Sequence, residues 1–384
     1  MRRTGHIRER SPGSFELRYT TGTDPATGNR KVVTTTVRGS RKDAERELRR
    51  LLRTLDTNEH VDPSKIVMRL WFAQWLAAIA PEVSPVTHQR YTEFVDGYLA
   101  PAFGNLLLSK ISPHDIQAKY TEWATGGRRD GKPGPLAVST RRFLHHCLSS
   151  ALTRAVELQL IARNPAQVLR RRLPKRERGE MATLSPDQVH QVLDATRGTP
   201  YYWPILLALA TGARRGEICA LRWRNVELDR GLIRVVESVK RIRGGTIRGS
   251  TKGGHARTVT LPRSTIDELR EWRREQAEQL LRLGVRQSGD IVVCTQPDGK
   301  PIGVNILTNA FARIAKRLGL AVHFHSLRHT HATALLMAGV HPKVAQERLG
   351  HASIAITLDV YSHVTERLHD DAAAKIDDVF RGTR

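Results

Sequence analysis

The period of the apolar residues changes along this 384-residue chain, and no single sheet or bundle can satisfy every pattern. Ser14-Phe15-Glu16-Leu17-Arg18-Tyr19 alternates apolar with polar, as a half-buried strand does. Thr23-Asp24-Pro25-Ala26-Thr27-Gly28-Asn29 is dense in turn residues, and the β-branched run from Arg30 to Val37 reads as the partner strand. Ser40 can cap a helix over residues 41–55, with Leu48, Leu51, Leu52 and Leu55 on one face. Residues 1–60 therefore predict a three-stranded sheet with one helix, too small to be an enzyme.

Asp62-Pro63 opens a second segment, to about Leu173, whose pattern is helical. Trp71, Phe72, Trp75, Leu76 and Ile79 recur at helical spacing, and Tyr91, Phe94, Val95 and Leu99 repeat the pattern. Ser112-Pro113-His114-Asp115 has the form of a capping box with Pro at the first helical position. A Gly/Pro/Arg loop spans residues 126–135, and a long helix is expected from Ser139 to Leu160. The aromatic residues here are expected in the core rather than as platforms for bases. Ser185-Pro186-Asp187-Gln188 caps the first helix of a third segment that mixes both periods. The expectation is a multidomain chain, mainly α with small β-sheets. It comprises a β-plus-helix domain at 1–60, a helical domain at 61–173 and a mixed α+β domain at 174–384.

Charge narrows what such a chain binds. Lys plus Arg number 62 against 38 Asp plus Glu, a formal net charge of +24. The excess is +6, +8 and +10 over residues 1–60, 61–180 and 181–384, so no single tail carries it. Several modules gripping one polyanion is the simplest reading, with nucleic acid ahead of an anionic membrane surface. Arg170 to Gly179 holds six basic residues and one acidic. This basic linker (170–181) predicts a tether lying along a phosphate backbone through Arg170, Arg171 and Arg172. The longest nearly apolar run, Tyr201 to Ala210, is far short of the roughly 20 residues a membrane span needs. No apolar segment follows the basic N-terminus, so no secretory leader is expected. Cys147, Cys219 and Cys294 are scattered and odd in number, which fits a reducing cytoplasm.

The third segment carries the chemistry. Thr211-Gly212-Ala213-Arg214-Arg215-Gly216-Glu217 follows an apolar helix, 203–210, and the Gly allows a tight turn into the next helix. Free amides and a guanidinium at one helix start make an anion site. Strands are expected at 232–239 and 256–261. Between them a Gly-rich hairpin carries Arg241, Arg243 and Lys252, which could reach into a groove. In His323-Phe324-His325-Ser326-Leu327-Arg328-His329-Thr330-His331, the i, i+3 pair His325 and Arg328 shares one helix face. Leu327, Ala334, Leu335 and Ala338 should face the core, and His331 falls on that side as a packed histidine. The histidine spacing fits no common zinc cage, so no metal is expected. Leu349-Gly350-His351 adds a polar group after a helix stop, and Thr357-Leu358-Asp359-Val360-Tyr361 presents one tyrosine ten residues on. Two arginines, a lysine, two histidines and a tyrosine are what phosphoryl transfer to a protein hydroxyl requires. The arginines neutralise non-bridging oxygens, the histidines and lysine move protons, and the tyrosine is the nucleophile.

These residues resemble the catalytic domain of the tyrosine recombinases, the phage-integrase family. The first arginine box matches Thr211–Glu217, the hairpin lysine Lys252, and the His-x-x-Arg box His325 to Arg328. The Leu-Gly-His matches Leu349 to His351, and the nucleophile matches Tyr361. The first two segments are similar, less specifically, to arm-binding and core-binding domains. The resemblance implies a site-specific DNA recombinase of a phage or mobile element in a bacterium, in which Tyr361 forms a 3′-phosphotyrosyl bond. Arg214 and Arg328 would hold the phosphate and Lys252 would protonate the leaving 5′-oxygen. His325 would assist proton transfer, and His351 would position the phosphate. It implies no cofactor, double-stranded attachment sites as partner, a homotetramer on synapsed DNA, and a cytoplasmic, nucleoid-associated location without membrane contact. A host DNA-bending protein or an excision factor are further partners it admits. On an apolar stripe of Ile376, Val379 and Phe380, a tail helix over 370–380 is expected to seek a groove.

Two other readings use the same residues differently. A type IB topoisomerase cleaves strands with similar groups but without synapsis, and the arm-like first segment argues against it. A non-catalytic DNA-binding regulator explains the charge but not six ordered residues.

Overall fold

The computed structural model describes residues 5–23, 30–56, 65–175, 182–250, 256–361 and 380. The chain divides into two compact units, Met1–Glu177 and Arg178–Arg384. Both are α-rich with small antiparallel sheets.

In the first unit, β1 (Gly5–Ser11), β2 (Ser14–Thr23) and β3 (Arg30–Arg38) form a sheet in sequence order, with Leu17 opposite Ile7 on one side and Thr35 on the other. The alternation in β2 works as read: Phe15, Leu17 and Tyr19 are buried against Ala44 and Leu48 of α1 (Arg41–Asp56). Ser40 caps α1 by accepting from the Asp43 N–H, while the Asp43 carboxylate accepts from the Ser40 N–H. The expected turn at residues 24–29 and Leu55's side chain lie outside the described residues.

A separate apolar core is built by α2 (Met68–Ile79), α3 (Pro85–Phe94), α4 (Ala100–Phe103), α5 (Pro113–Thr125) and α6 (Val138–Glu157). Trp71, Phe72, Trp75, Leu76 and Ile79 are all buried in it, and the Trp71 indole donates to the Ala151 carbonyl at 3.1 Å. Ser112 and Asp115 make the expected capping box, and Pro113 sits in the first helical turn. Two features differ from the sequence reading. Val95–Leu99 is a π-helical turn between α3 and α4, which lets Tyr91, Val95 and Leu99 all stay buried at four-residue spacing. Arg170, Arg171 and Arg172 stand exposed on a 3₁₀ turn, Gln167–Arg172, anchored by buried Leu169. The start of the basic run is thus folded onto the helical core and is not a free tether, because Leu169 and Ala166 supply an apolar anchor. Residues 176–181 lie outside the described residues.

The second unit begins with α7 (Pro186–Thr196), capped by Ser185 and Gln188 as expected, followed by α8 (Tyr202–Thr211) and α9 (Arg215–Ala220). Then come β4 (Val226–Glu227), β5 (Leu232–Val235), β6 (Glu237–Ile242), β7 (Gly245–Ser250) and β8 (Arg257–Thr260). The helices α10 (Arg263–Arg282), α11 (Val304–Arg317), α12 (Phe324–Met337), α13 (Pro342–Leu349) and α14 (Ile354–Tyr361) complete it. The expected strand over 232–239 is two strands. β5 pairs with β4 and β8, whereas β6 pairs among the described residues with β7 alone, Arg241 opposite Thr246. The Gly-rich segment is therefore a β-ladder in its own right, turning at Arg243-Gly244 where Gly244 has φ +87°. On α12, Leu327 is buried as expected, but Ala334 and Ala338 are exposed and Leu335 is half-buried; Leu336 takes the core position instead. Leu336 packs with Ala332, Ala345 and Leu349, and Ala338 lies just past the last helical residue, Met337. Gln276, fully buried on α10, fastens that helix by donating to the Val292 and Val293 carbonyls and to Thr295 Oγ1. Among the described residues no helix is long and apolar enough to cross a membrane. The expected tail helix lies outside the described residues except Phe380, which is exposed.

Candidate active site

The site is assembled on the ends of helices. α8 stops because Gly212 takes φ +63°, a left-handed conformation in which a Cβ would come within 2.6 Å of Leu349 and 2.7 Å of His331. Two residues on, Arg214 caps α9. Glu217, at its third position, turns back to accept from the Arg214 backbone N–H and from its Nη1, each at 2.9 Å. α9 can lie close to β6 because residue 216 is Gly: a Cβ there would sit 2.4 Å from the Val239 carbonyl oxygen. Its neighbour Arg215 points elsewhere and donates to Thr308 Oγ1 on α11.

Arg328, only 3% exposed on α12, bridges two helix C-termini. Its Nη1 donates to the Gly212 carbonyl at 2.6 Å and its Nη2 to the Leu349 carbonyl at 2.7 Å. Arg214 Nη2 donates to the next carbonyl, Gly350, at 3.0 Å. Both helix ends carry unpaired carbonyls and the negative pole of the macrodipole, which a guanidinium satisfies twice over. The two arginines read from the sequence are thus brought to adjacent peptide groups of one turn. Burial, and repulsion from Arg214 and Arg257, loosen Arg328's hold on its proton; Glu217 opposes this.

Gly350 ends α13 at φ +66° and delivers His351 to the same place. His351 Nδ1 lies 2.9 Å from Thr357 Oγ1, a fully buried residue of α14. One ring nitrogen is thereby occupied, and Nε2 has no hydrogen-bond partner among the described residues. Partial burial, then Arg328 and Arg214, lower the His351 pKa to about 3. His325 opens α12 with its ring edge-on to His329 at 4.8 Å. Its ring reaches solvent, yet the surrounding protein, His329 and Arg328 bring its pKa down to about 4. Both rings are therefore neutral near pH 7 in the free protein. α14 packs against α12 and α13, and its last residue is Tyr361. Lys252 lies outside the described residues, in the 251–255 connection from β7 to β8. Arg241 and Arg243 are exposed near the tip of the β6–β7 hairpin.

His331 is packed, as read. Nδ1 donates to the Leu209 carbonyl at 2.7 Å, and Nε2 accepts from Arg348 Nε at 3.2 Å. The two partners fix a neutral tautomer, and burial lowers its pKa to about 4. Among the described residues no group of three or more His, Cys, Asp or Glu could hold a metal.

Two members of the site escaped the sequence reading. Glu217 has a 1%-exposed side chain that also accepts from Arg257 Nη2 at 2.7 Å. Burial alone would raise its pKa, but the two guanidiniums and the Arg214 N–H outweigh it and leave the carboxyl below its usual range. Arg257 begins β8 and also donates from Nε to the Arg348 carbonyl at 2.9 Å. The signal for Glu217 was in plain view, an acid three residues after an arginine at a helix start. Arg257 carried none, since a cation beginning a strand is ordinary.

Residues 182–367 match the phage integrase family, and residues 68–124 match the phage integrase N-terminal SAM-like domain. The tyrosine recombinase XerA of Thermococcus kodakarensis is 30% identical over 274 residues, 66% of this chain and 86% of that protein. The chain belongs to the phage-integrase family of tyrosine recombinases. The ICEBs1 integrase of Bacillus subtilis is 25% identical over 97% of this chain and 99% of its own length. Among solved structures, a Tn1549 transposon integrase in complex with transposon right-end DNA superposes with TM-score 0.66 at 19% identity, covering 82% of this chain and 99% of that one. A lambda integrase tetramer bound to a Holliday junction gives TM-score 0.57 at 18% identity, with 92% and 94% covered. The chain is a tyrosine-type site-specific recombinase, with the multidomain, α-rich fold of these integrases.

Proposed function

We propose that this recombinase cleaves and rejoins duplex attachment sites of a mobile element through a tyrosyl–DNA bond at Tyr361. The observation that carries the reading is the placement of Arg214 and Arg328 on one turn, Leu349–Gly350, with His351 next in the chain. Arg214, Arg257 and Arg328 face a single carboxylate, Glu217, leaving a local excess of positive charge for a phosphate. In the forward step the Tyr361 hydroxyl oxygen attacks phosphorus and the bond to the 5′-oxygen breaks. The tyrosine loses its proton with His325 assisting, and Lys252 gives one to the leaving oxygen. His351 Nε2 steadies a phosphate oxygen. Because the phosphodiester is conserved as a 3′-phosphotyrosine, a 5′-hydroxyl reverses the step, and neither nucleotide nor metal is consumed.

Residues 1–60 serve as an arm-type DNA-binding domain, 61–173 as the core-binding domain and 174–384 as the catalytic domain. Arg170, Arg171, Arg172, Arg241 and Arg243 contact phosphates. Four protomers synapse two duplexes in the bacterial cytoplasm at the nucleoid, with a bending protein or excision factor directing integration against excision. The lambda integrase tetramer on a junction supports this assembly. The test is trapping on sheared, nicked genomic DNA of the source cell, where the short 5′-hydroxyl strand diffuses away after cleavage. A denaturation-resistant protein–DNA adduct is expected from the wild type and none from Tyr361→Phe, whose ring keeps nearly the same shape. An adduct persisting in Tyr361→Phe would make another residue the nucleophile.

A further inference from the structure

We infer that Arg257 is a positioning residue of the recombination site, holding the α9 arginine cap and the α13–His351 turn in one fixed relation. The inference rests on the reading of Arg214 and His351 as phosphate-handling groups. It assigns a role to a side chain that has no place in the strand-transfer chemistry.

Arg257 is almost wholly buried: its side chain is 9% exposed. It has two anchors on two different elements. Nη2 meets the Glu217 carboxylate of α9 at 2.7 Å, and Nε meets the Arg348 carbonyl in the last turn of α13 at 2.9 Å. Glu217 in turn holds Arg214 by backbone and by side chain. The packing is as close as the bonding, for a Cβ on Gly350 would lie only 3.0 Å from Arg257 Cδ. One planar guanidinium therefore ties the element that aims Arg214 to the turn that presents Gly350 and His351. Without it, Glu217 keeps a single guanidinium partner and the Arg348 carbonyl loses this donor. The turn at Gly350 is then free to move relative to Arg214 by on the order of 1 Å. A displacement of about 1 Å in a catalytic group costs on the order of 10²-fold in rate. Lysine is a poor substitute, because one ammonium on a flexible stem cannot match a two-pronged contact with fixed geometry.

The experiment measures single-turnover adduct formation on a nicked duplex carrying the site recovered from wild-type adducts, at saturating protein, beside DNA affinity and thermal unfolding. Arg257→Lys and Arg257→Gln are each expected to slow adduct formation by about 10²-fold with DNA affinity within about threefold of wild type. Glu217→Gln combined with Arg257→Gln should lose clearly less than the product of the two single losses, since both variants break the Arg257–Glu217 contact. Should Arg257→Gln fail to fold, Arg257→Lys alone decides. A folded Arg257→Lys that forms adduct at the wild-type rate overturns the inference, and so do rate losses that multiply fully in the double variant. A wild type that forms no adduct overturns the proposed function itself, a result distinct from either.

Discussion

Replacing Arg328 with lysine separates what this side chain does for the fold from what it does for the phosphate. The guanidinium makes two hydrogen bonds, 2.6 Å to Gly212 and 2.7 Å to Leu349, on the C-termini of α8 and α13. Charged hydrogen bonds of this kind contribute about 1.5–3 kcal/mol each. A lysine ammonium can reach one carbonyl but not hold both, so one buried carbonyl loses its partner. Arg328→Lys should then cost about 2–3 kcal/mol. At about 2–4 °C per kcal/mol for a unit of this size, the melting transition of the catalytic unit should fall by roughly 5–10 °C. If Arg328 also holds the reacting phosphate, as proposed, loss of that donor should independently slow cleavage by about 10²–10³-fold. Calorimetry of the free protein reads the first effect, and single-turnover adduct formation well below the melting transition reads the second. Unchanged stability with slow cleavage would refute the anchoring role. Reduced stability with normal cleavage would refute the phosphate role.

Three further outcomes are expected. Lys252→Ala should be severely slowed on normal DNA and nearly restored when the leaving 5′-oxygen is replaced by sulfur, which departs without a proton, whereas Arg214→Ala should gain nothing; equal rescue of both would remove the acid role. His331, with its folded pKa lowered to about 4, resists protonation when native, so its share of stability is complete above about pH 6.5 and is lost as pH falls towards 4. The advantage of wild type over His331→Leu in urea unfolding should accordingly shrink by about 3 kcal/mol between pH 7 and pH 4, and parallel profiles would refute it. Neutralising Arg170, Arg171 and Arg172 together should lower the slope of log affinity against log salt by roughly 3 if each meets a phosphate, and an unchanged slope returns them to a solvated surface.

Where the sequence spoke clearly, a local physical rule was at work. The Ser40, Ser112 and Ser185 helix starts are legible because a cap and its partner lie three residues apart, and all three form. Strand β2 and helix α2 are legible because one apolar face dictates one period. The failures have several causes. Whether β6 joins β5 or forms a ladder with β7 depends on which partner each strand finds, and the composition of residues 232–250 fits both. The π turn at Val95–Leu99 is invisible because helical spacing tolerates an extra residue. Arg257 meets Glu217 across 40 positions and Arg348 across 91, so no window of sequence contains the contact.

The same arginines that anchor helix ends add to the effect of burial on the neighbouring histidines. Arg214 and Arg328 remain charged and account for part of the depression of His325 and His351 to about 4 and about 3, after burial. In the free protein, then, fixed positive charge sits beside neutral imidazoles that can accept protons. On the proposed function, a phosphate entering the site would bring negative charge against those same rings, and a nearby anion raises a histidine's pKa. The direction is the useful one. Rings too reluctant to take a proton before DNA binds would then have their pKa raised towards the ambient pH, where proton transfer is most efficient. Lysines in place of the arginines could supply the charge but not the paired hydrogen bonds that hold it still, which is why the guanidinium geometry, and not the charge alone, ties the helix ends to the chemistry.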